Sequence, residues 1–164
     1  MKCRDSRLKA ALTIMIIIAA AASAFSANER VIAIFDFKGA VRSNYDKGKK
    51  FSLLLFSKLS AYNNIKMVER QQLNKLLKER KLNRSGLVDL KYLEIAKLLN
   101  ADFIITGRLF EDGDNKIINL KLTRCSDGTI FGKSFFVPKA TKDYLEKASV
   151  DAAAYAVKKI KQLK

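Results

Sequence analysis

Lys75, Lys78, Lys81 and Arg84 recur at every third position of the stretch VERQQLNKLLKERKLNRSGLVDL (68–90). Residues three and four apart are neighbours on a helix surface, so this spacing sets out a row of cations able to hold an acidic partner. The stretch carries six basic and three acidic residues, threaded through Leu73, Leu76, Leu77 and Leu82. Leucines inward and lysines outward is also what a solvated surface helix shows. No aromatic residues interleave with the lysines to stack bases. Solvation is therefore the plainer reading of the row, and a cationic patch the sharper one.

Other chemistry-bearing residues are sparse. Asp36 stands near the end of the apolar run VIAIFDF (31–37), at a strand end where α/β sheets often place ligands. The chain has no histidine, so it lacks the usual general base near neutral pH and every imidazole metal ligand. Cys3 and Cys125 lie too far apart for a metal motif. There is no glycine-rich phosphate loop and no serine elbow. The expectation is a protein that is not an enzyme and uses neither cofactor nor metal.

These residues belong to a chain of 164 residues, 49% hydrophobic, with a formal net charge of +16. That length suits one domain with a core of its own. The positive surplus favours anionic partners: wall polymer, lipopolysaccharide, anionic lipid or nucleic acid. Residues 1–27, MKCRDSRLKAALTIMIIIAAAASAFSA, have a basic start, a short apolar run and small residues at the end, the plan of an export signal. The run is short for a bilayer span of about 20 residues, and an uncleaved anchor is the alternative. Either way, 28–164 is expected as a single domain outside the cytoplasm, periplasmic or associated with the outer membrane, which disfavours nucleic acid. Cys3 precedes the apolar run, so there is no lipobox, and Cys125 is expected as a lone buried thiol.

Hydrophobic spacing supplies the elements. VIAIFDF reads as a strand buried on both faces. Gly48 ends the following loop, and Phe51, Leu54, Leu55, Leu59 and Tyr62 mark a helix from Lys49 to about Tyr62. A short strand (65–69) precedes the leucine-lysine helix, where Lys75 and Glu79 are spaced to pair. Asp89 suits the N-cap of a further helix and Asn100 its left-handed end. Strands follow at 102–110, at KIINLKLTR and at TIFGKSFFV, joined by EDGDN and by a turn at Asp127-Gly128. Pro138 ends the last strand, and a helix runs from about Thr141 to Leu163. The expected fold is α/β (α+β): a mixed five-stranded sheet packed with helices, in the order β-α-β-α-α-β-β-β-α, with right-handed crossovers between neighbouring parallel strands in its first half.

The blocks VIAIFDF, KMVERQQLNKLLKERKLNRSGLVD, EIAKLLNADFIITGRL and LKLTRCSDGTIFGKSFFV resemble the pattern of the CsgG family of curli-assembly proteins, over nearly all of 31–163. The resemblance implies an α/β periplasmic domain similar to anticodon-binding domains and to the amino-terminal domain of TolB. It implies that Arg70 and Glu79, which match the family's motif, form a structural ion pair or cap fixing the helix on the sheet. Gly86 and Gly107 would serve backbone geometry. The family's founding member is a lipid-anchored ring channel with two long membrane hairpins per subunit. Here only 111–115 and 137–140 stand where those hairpins would be, and the anchoring cysteine is absent. The expected function is a pore-less, non-enzymatic cell-envelope protein, acting in assembly, secretion or regulation through contacts with envelope proteins, with homo-oligomerisation possible. The resemblance extends to pore-less members, the LpoB-like and FlgO-like proteins. The alternatives are a basic periplasmic binder of anionic polymers or lipid, and an activator of a penicillin-binding protein.

Overall fold

The computed structural model describes residues 29–39, 44–79 and 88–163. The expected leader lies outside them, as do Lys81, Arg84 and Gly86.

The apolar run forms β1 (Arg30–Ile34), and its alternate residues serve two cores. Ile32 and Ile34 face one side of the sheet, Ala33 and Phe35 the other. The chain then breaks its ladder at 35–37 and resumes as a two-residue strand, β2 (Lys38–Gly39). α1 (Tyr45–Ser60) leads to β3 (Ile65–Met67), then α2 (Arg70–Glu79) and α3 (Val88–Leu98). β4 (Phe103–Asp112), β5 (Asn115–Arg124) and β6 (Ile130–Pro138) form an antiparallel meander, and α4 (Tyr144–Gln162) closes the chain.

The sheet runs β3-β1-β4-β5-β6, with β2 pairing β4 in line with β1. β1 is parallel to both β3 and β4. The sheet is mixed, as expected, but has six strands because the first is split. The second crossover also differs from expectation: β4 does not neighbour β3 but passes to the far side of β1. The physical reason lies in the two cores. α1 and α4 bury Phe51, Leu55, Leu59, Ala148, Ala152 and Ile160 on one face. α2 and α3 bury Leu73, Ile95 and Ala96 on the other. Successive connections thus leave β1 and β3 on opposite faces, and β1 is covered on both.

Local signals account for the ends. Asn100 adopts φ 51°, and the N–H groups of Ala101 and Asn100 donate to the Ala96 and Lys97 carbonyls at 2.9 and 3.0 Å, which closes α3 in a Schellman motif. Gly113 and Gly128 take φ 52° and 73° in the two hairpin turns. At the second turn the Asp127 carboxylate accepts from Arg124 Nε and from the Thr129 N–H, both at 3.0 Å. These bonds hold its pKa well below the usual carboxylate range, the Arg124 bond most of all. Two helix starts come earlier than the sequence suggests. α3 begins at Val88, so Asp89 lies inside the helix instead of capping it. α1 begins at Tyr45, so Gly48 belongs to the helix and does not end a loop.

Candidate functional site

The break after β1 gathers the residues singled out by sequence. Helices leave β1 and β3 toward opposite faces, and such a switch point at the carboxyl ends of parallel strands is where open α/β sheets bind ligands. Asp36 lies there, within the break. Arg70 opens α2 directly after β3, and its Nη2 donates to Asp36 Oδ1 in an ion pair. The two side chains are 38% and 20% exposed, so the pair is partly shielded from water. The ion pair therefore joins the break after β1 to the start of α2.

Close packing holds the break in shape. Phe37 turns its ring into the core against Phe51, with centroids 4.8 Å apart. Its N–H, freed by the interrupted ladder, donates to the Ser52 hydroxyl at 2.9 Å, and that hydroxyl donates to the Gly48 carbonyl at 3.0 Å. Ser52 is fully buried. A Cβ on Gly48 would lie 2.1 Å from the Phe37 carbonyl oxygen, so glycine lets the first turn of α1 press against the break. Gly107 has no left-handed φ. Its role is space: a Cβ there would meet the Phe37 ring and the Asn119 carbonyl. Sequence reasoning missed Ser52 and the function of Gly48. The available signal was a small polar residue on the same helical face as Phe51, Leu55 and Leu59.

The remaining candidates do not converge on this ion pair. Glu79 ends α2, nine residues after Arg70, or about 13 Å along the axis, and cannot pair with it. It lies 4.0 Å from Lys75 on the exposed face, and these side chains are 54% and 76% exposed. Lys78 is exposed on the same helix. Leu73 is buried beneath them, with Leu76 and Leu77 half-buried. The face is solvated, as its spacing implies.

A groove of about 480 Å³ opens at the opposite end of the sheet, beside Arg30, Lys97, Asp102 and Arg124. Its carboxylate is engaged internally: Asp102 Oδ2 accepts the Val31 N–H at 2.8 Å, and Oδ1 stands 3.5 Å from Arg30. Among the described residues no group of acidic or cysteine side chains is placed to hold a metal ion. None of the described helices is long and apolar enough to cross a membrane. β4 and β5 are joined by two residues, and 139–143 join β6 to α4.

A family model for the curli production assembly/transport component CsgG matches residues 14–116. The match spans β1 to β4 and stops where β5 begins, so the closing hairpin lies beyond it. Among solved structures the chain is similar to the LpoB C-terminal domain from Salmonella enterica, with 15% identity and a TM-score of 0.53 over 68% of this chain and 84% of that one. It is similar to lipoprotein GNA1162 from Neisseria meningitidis, with 10% identity and a TM-score of 0.54 over 77% and 95%. Similarity to TolB from Acinetobacter baumannii, at 12% identity and a TM-score of 0.50, covers 79% of this chain and 28% of that one. At such identities the likeness concerns the fold, here a mixed sheet packed with helices. No curated protein sequence matches the chain.

Proposed function

As a cell-envelope protein belonging to the CsgG family, this chain acts, we propose, without catalysis, in the assembly, secretion or regulation of a surface or outer-membrane complex through protein contacts. The observation that carries the reading is the Asp36–Arg70 ion pair. It ties together two elements at the position where related sheets hold a ligand, so the acid best placed for chemistry is committed to architecture. The two-residue link between β4 and β5 and the short one after β6 support a role without membrane hairpins, since a membrane strand needs about 9–11 residues. The body is exported and periplasmic or outer-membrane-associated in this reading.

Fractionation of cells making the full chain tests it. The protein is expected in the envelope fraction, trimmed near residue 27, and photo-crosslinking in cells is expected to capture a specific envelope protein. A cytosolic, untrimmed chain would overturn the reading, and so would a turnover activity abolished by Asp36→Asn.

The positive surplus, +16 on the whole chain and +13 once residues 1–27 are removed, favours a second reading, a basic binder of wall polymer, lipopolysaccharide or anionic lipid. It requires binding to anionic vesicles that falls steeply with salt and falls further in Lys75→Glu/Lys78→Glu. Salt-independent retention would remove it.

A further inference from the structure

The two helical layers differ in their unpaired charge. α1 and α4 cover the same face of the sheet, so their outer sides look the same way. Along α4 the buried Leu145, Ala148, Ala152, Ala156 and Ile160 mark the inner side. Lys147, Ala154, Lys158 and Lys161, spaced seven, four and three apart, share the opposite side and are exposed. On α1, Lys49 and Lys50 are exposed as well. Other lysines of these helices are engaged: Lys47 by Glu111, Lys58 by Glu146 and Lys159 by the Phe131 ring. Among the described residues Lys49, Lys50, Lys147, Lys158 and Lys161 have no such partner, and the free carboxylates of α1 and α4 are Asp46 and Asp151. The other layer is close to balanced. Arg70 is held by Asp36, and Lys75 stands 4.0 Å from Glu79. That leaves Lys78 and Lys97 against Glu94 among the described side chains of α2 and α3.

The fold does not account for this row. Lys161 suits the last turn of α4, where the helix dipole favours a cation. Lys147 stands in the first turn, where the dipole disfavours one, and no ion pair offsets the cost. The residue types define what the row can hold. Lysine is a compact charge on a flexible stem. It is depleted at protein interfaces, where Tyr, Trp and Arg supply the anchors. The outer side of α4 has no aromatic residue and no arginine between Lys147 and Lys161, a straight run of about 21 Å. Such a row suits a broad anionic surface. The same layer exposes Leu53 (48%) and Val150 (49%). An acidic polymer in water offers these side chains no apolar phase, whereas phospholipid headgroups carry the negative charge directly above one.

We propose that the outer side of α1 and α4 rests on an anionic phospholipid leaflet, with α4 lying along it. The proposal deepens the second reading above, rests on it, and assigns that reading to one face and one kind of surface. Headgroup phosphates attract Lys147, Lys158 and Lys161 within a Debye length, while Leu53 and Val150 enter the headgroup layer.

The probe is a vesicle of phosphatidylglycerol and phosphatidylcholine in about equal parts, mixed with protein recovered from the envelope of cells making the full chain. Sedimentation with these vesicles is expected, and far less with phosphatidylcholine alone. Lys147→Glu/Lys158→Glu and Lys75→Glu/Lys78→Glu change the total charge equally, so their difference reports location. The α4 pair is expected to weaken binding roughly tenfold or more beyond the α2 pair. Both α4 sites are exposed, and Lys147→Glu puts an acid where the dipole favours one, so the variant keeps its fold. A second measurement needs neither pair. A polarity-sensitive dye on Ala154→Cys is expected to shift to the blue with the vesicles, and on Gln72→Cys, exposed on α2, to stay unchanged. Cys125 is buried and does not take the dye. Equal losses in the two pairs, or a shift at Gln72→Cys alone, would overturn the face assignment and leave the second reading standing. Wall-polymer binding lost in the α4 pair while vesicle binding persists would give the face to polymer instead. No preference for phosphatidylglycerol would remove both the proposal and the reading beneath it.

Discussion

The ring of Phe37 lies where a side chain at Gly107 would have to be: a Cβ on Gly107 falls 2.1 Å from Phe37 Cε1 and 2.3 Å from the Asn119 carbonyl oxygen. A ring can rotate aside, but the second obstacle is the backbone of β5. Gly107→Ala is therefore expected to destabilise the fold by about 3 kcal/mol, the upper part of the range for overpacking, read as a lower urea midpoint at an unchanged slope. Adding Phe37→Leu should recover only part of the loss, since the Asn119 carbonyl remains.

The Asp36–Arg70 pair predicts a coupled response. Its side chains are neither fully buried nor fully exposed, and a double-mutant cycle with Asp36→Asn and Arg70→Gln should return a coupling of about 1 kcal/mol. Additive effects would mean that the pair contributes no net interaction energy.

Ser52 predicts the cost of leaving the strand break unsatisfied. Its hydroxyl receives the Phe37 N–H in a site closed to water. Ser52→Ala strands that donor and should cost about 1–3 kcal/mol. A neutral substitution would require another acceptor to replace the hydroxyl, which hydrogen exchange of the Phe37 amide would reveal.

How much of this was legible in the sequence depends on how local each cause is. β1 declared itself through an unbroken apolar run, because both its faces are buried. Asn100 and the two turn glycines were readable because left-handed backbone favours so few residue types. Asp36 and Arg70 were each visible singly, one at a strand end and one in a family motif. Their union was not, because they lie 34 positions apart and only the parallel pairing of β1 with β3 brings them together. Gly48 and Gly107 were visible as glycines, but their reason is the approach of distant atoms. The split of the first strand left no local mark, since Phe35 and Phe37 continue its apolar character while the ladder between them is interrupted.

Cys125 predicts a pH dependence whose sign follows from burial. The thiol is 5% exposed and packs in the core with Ala33, Phe35 and Ile104. Burial disfavours the thiolate, the nearby Asp102 carboxylate disfavours it further, and Lys97 offsets only part, so the pKa is pushed from 9.0 up to about 11. In a Cys3→Ser background, Cys125 should stay unreactive toward Ellman's reagent at neutral pH until the chain is unfolded. Because the folded pKa lies above the unfolded one, the contribution to stability is complete below pH 9. Above it the unfolded chain releases its proton first, and stability falls until the folded thiol also ionises near pH 11. Comparing urea midpoints of this protein and its Cys125→Ala derivative cancels the lysine and tyrosine titrations common to both. Their difference should hold constant below pH 9 and shift against the thiol protein between pH 9 and about 11. A difference flat across that window would mean that Cys125 ionises as freely in the folded chain as in the unfolded one, and that the core around it admits water.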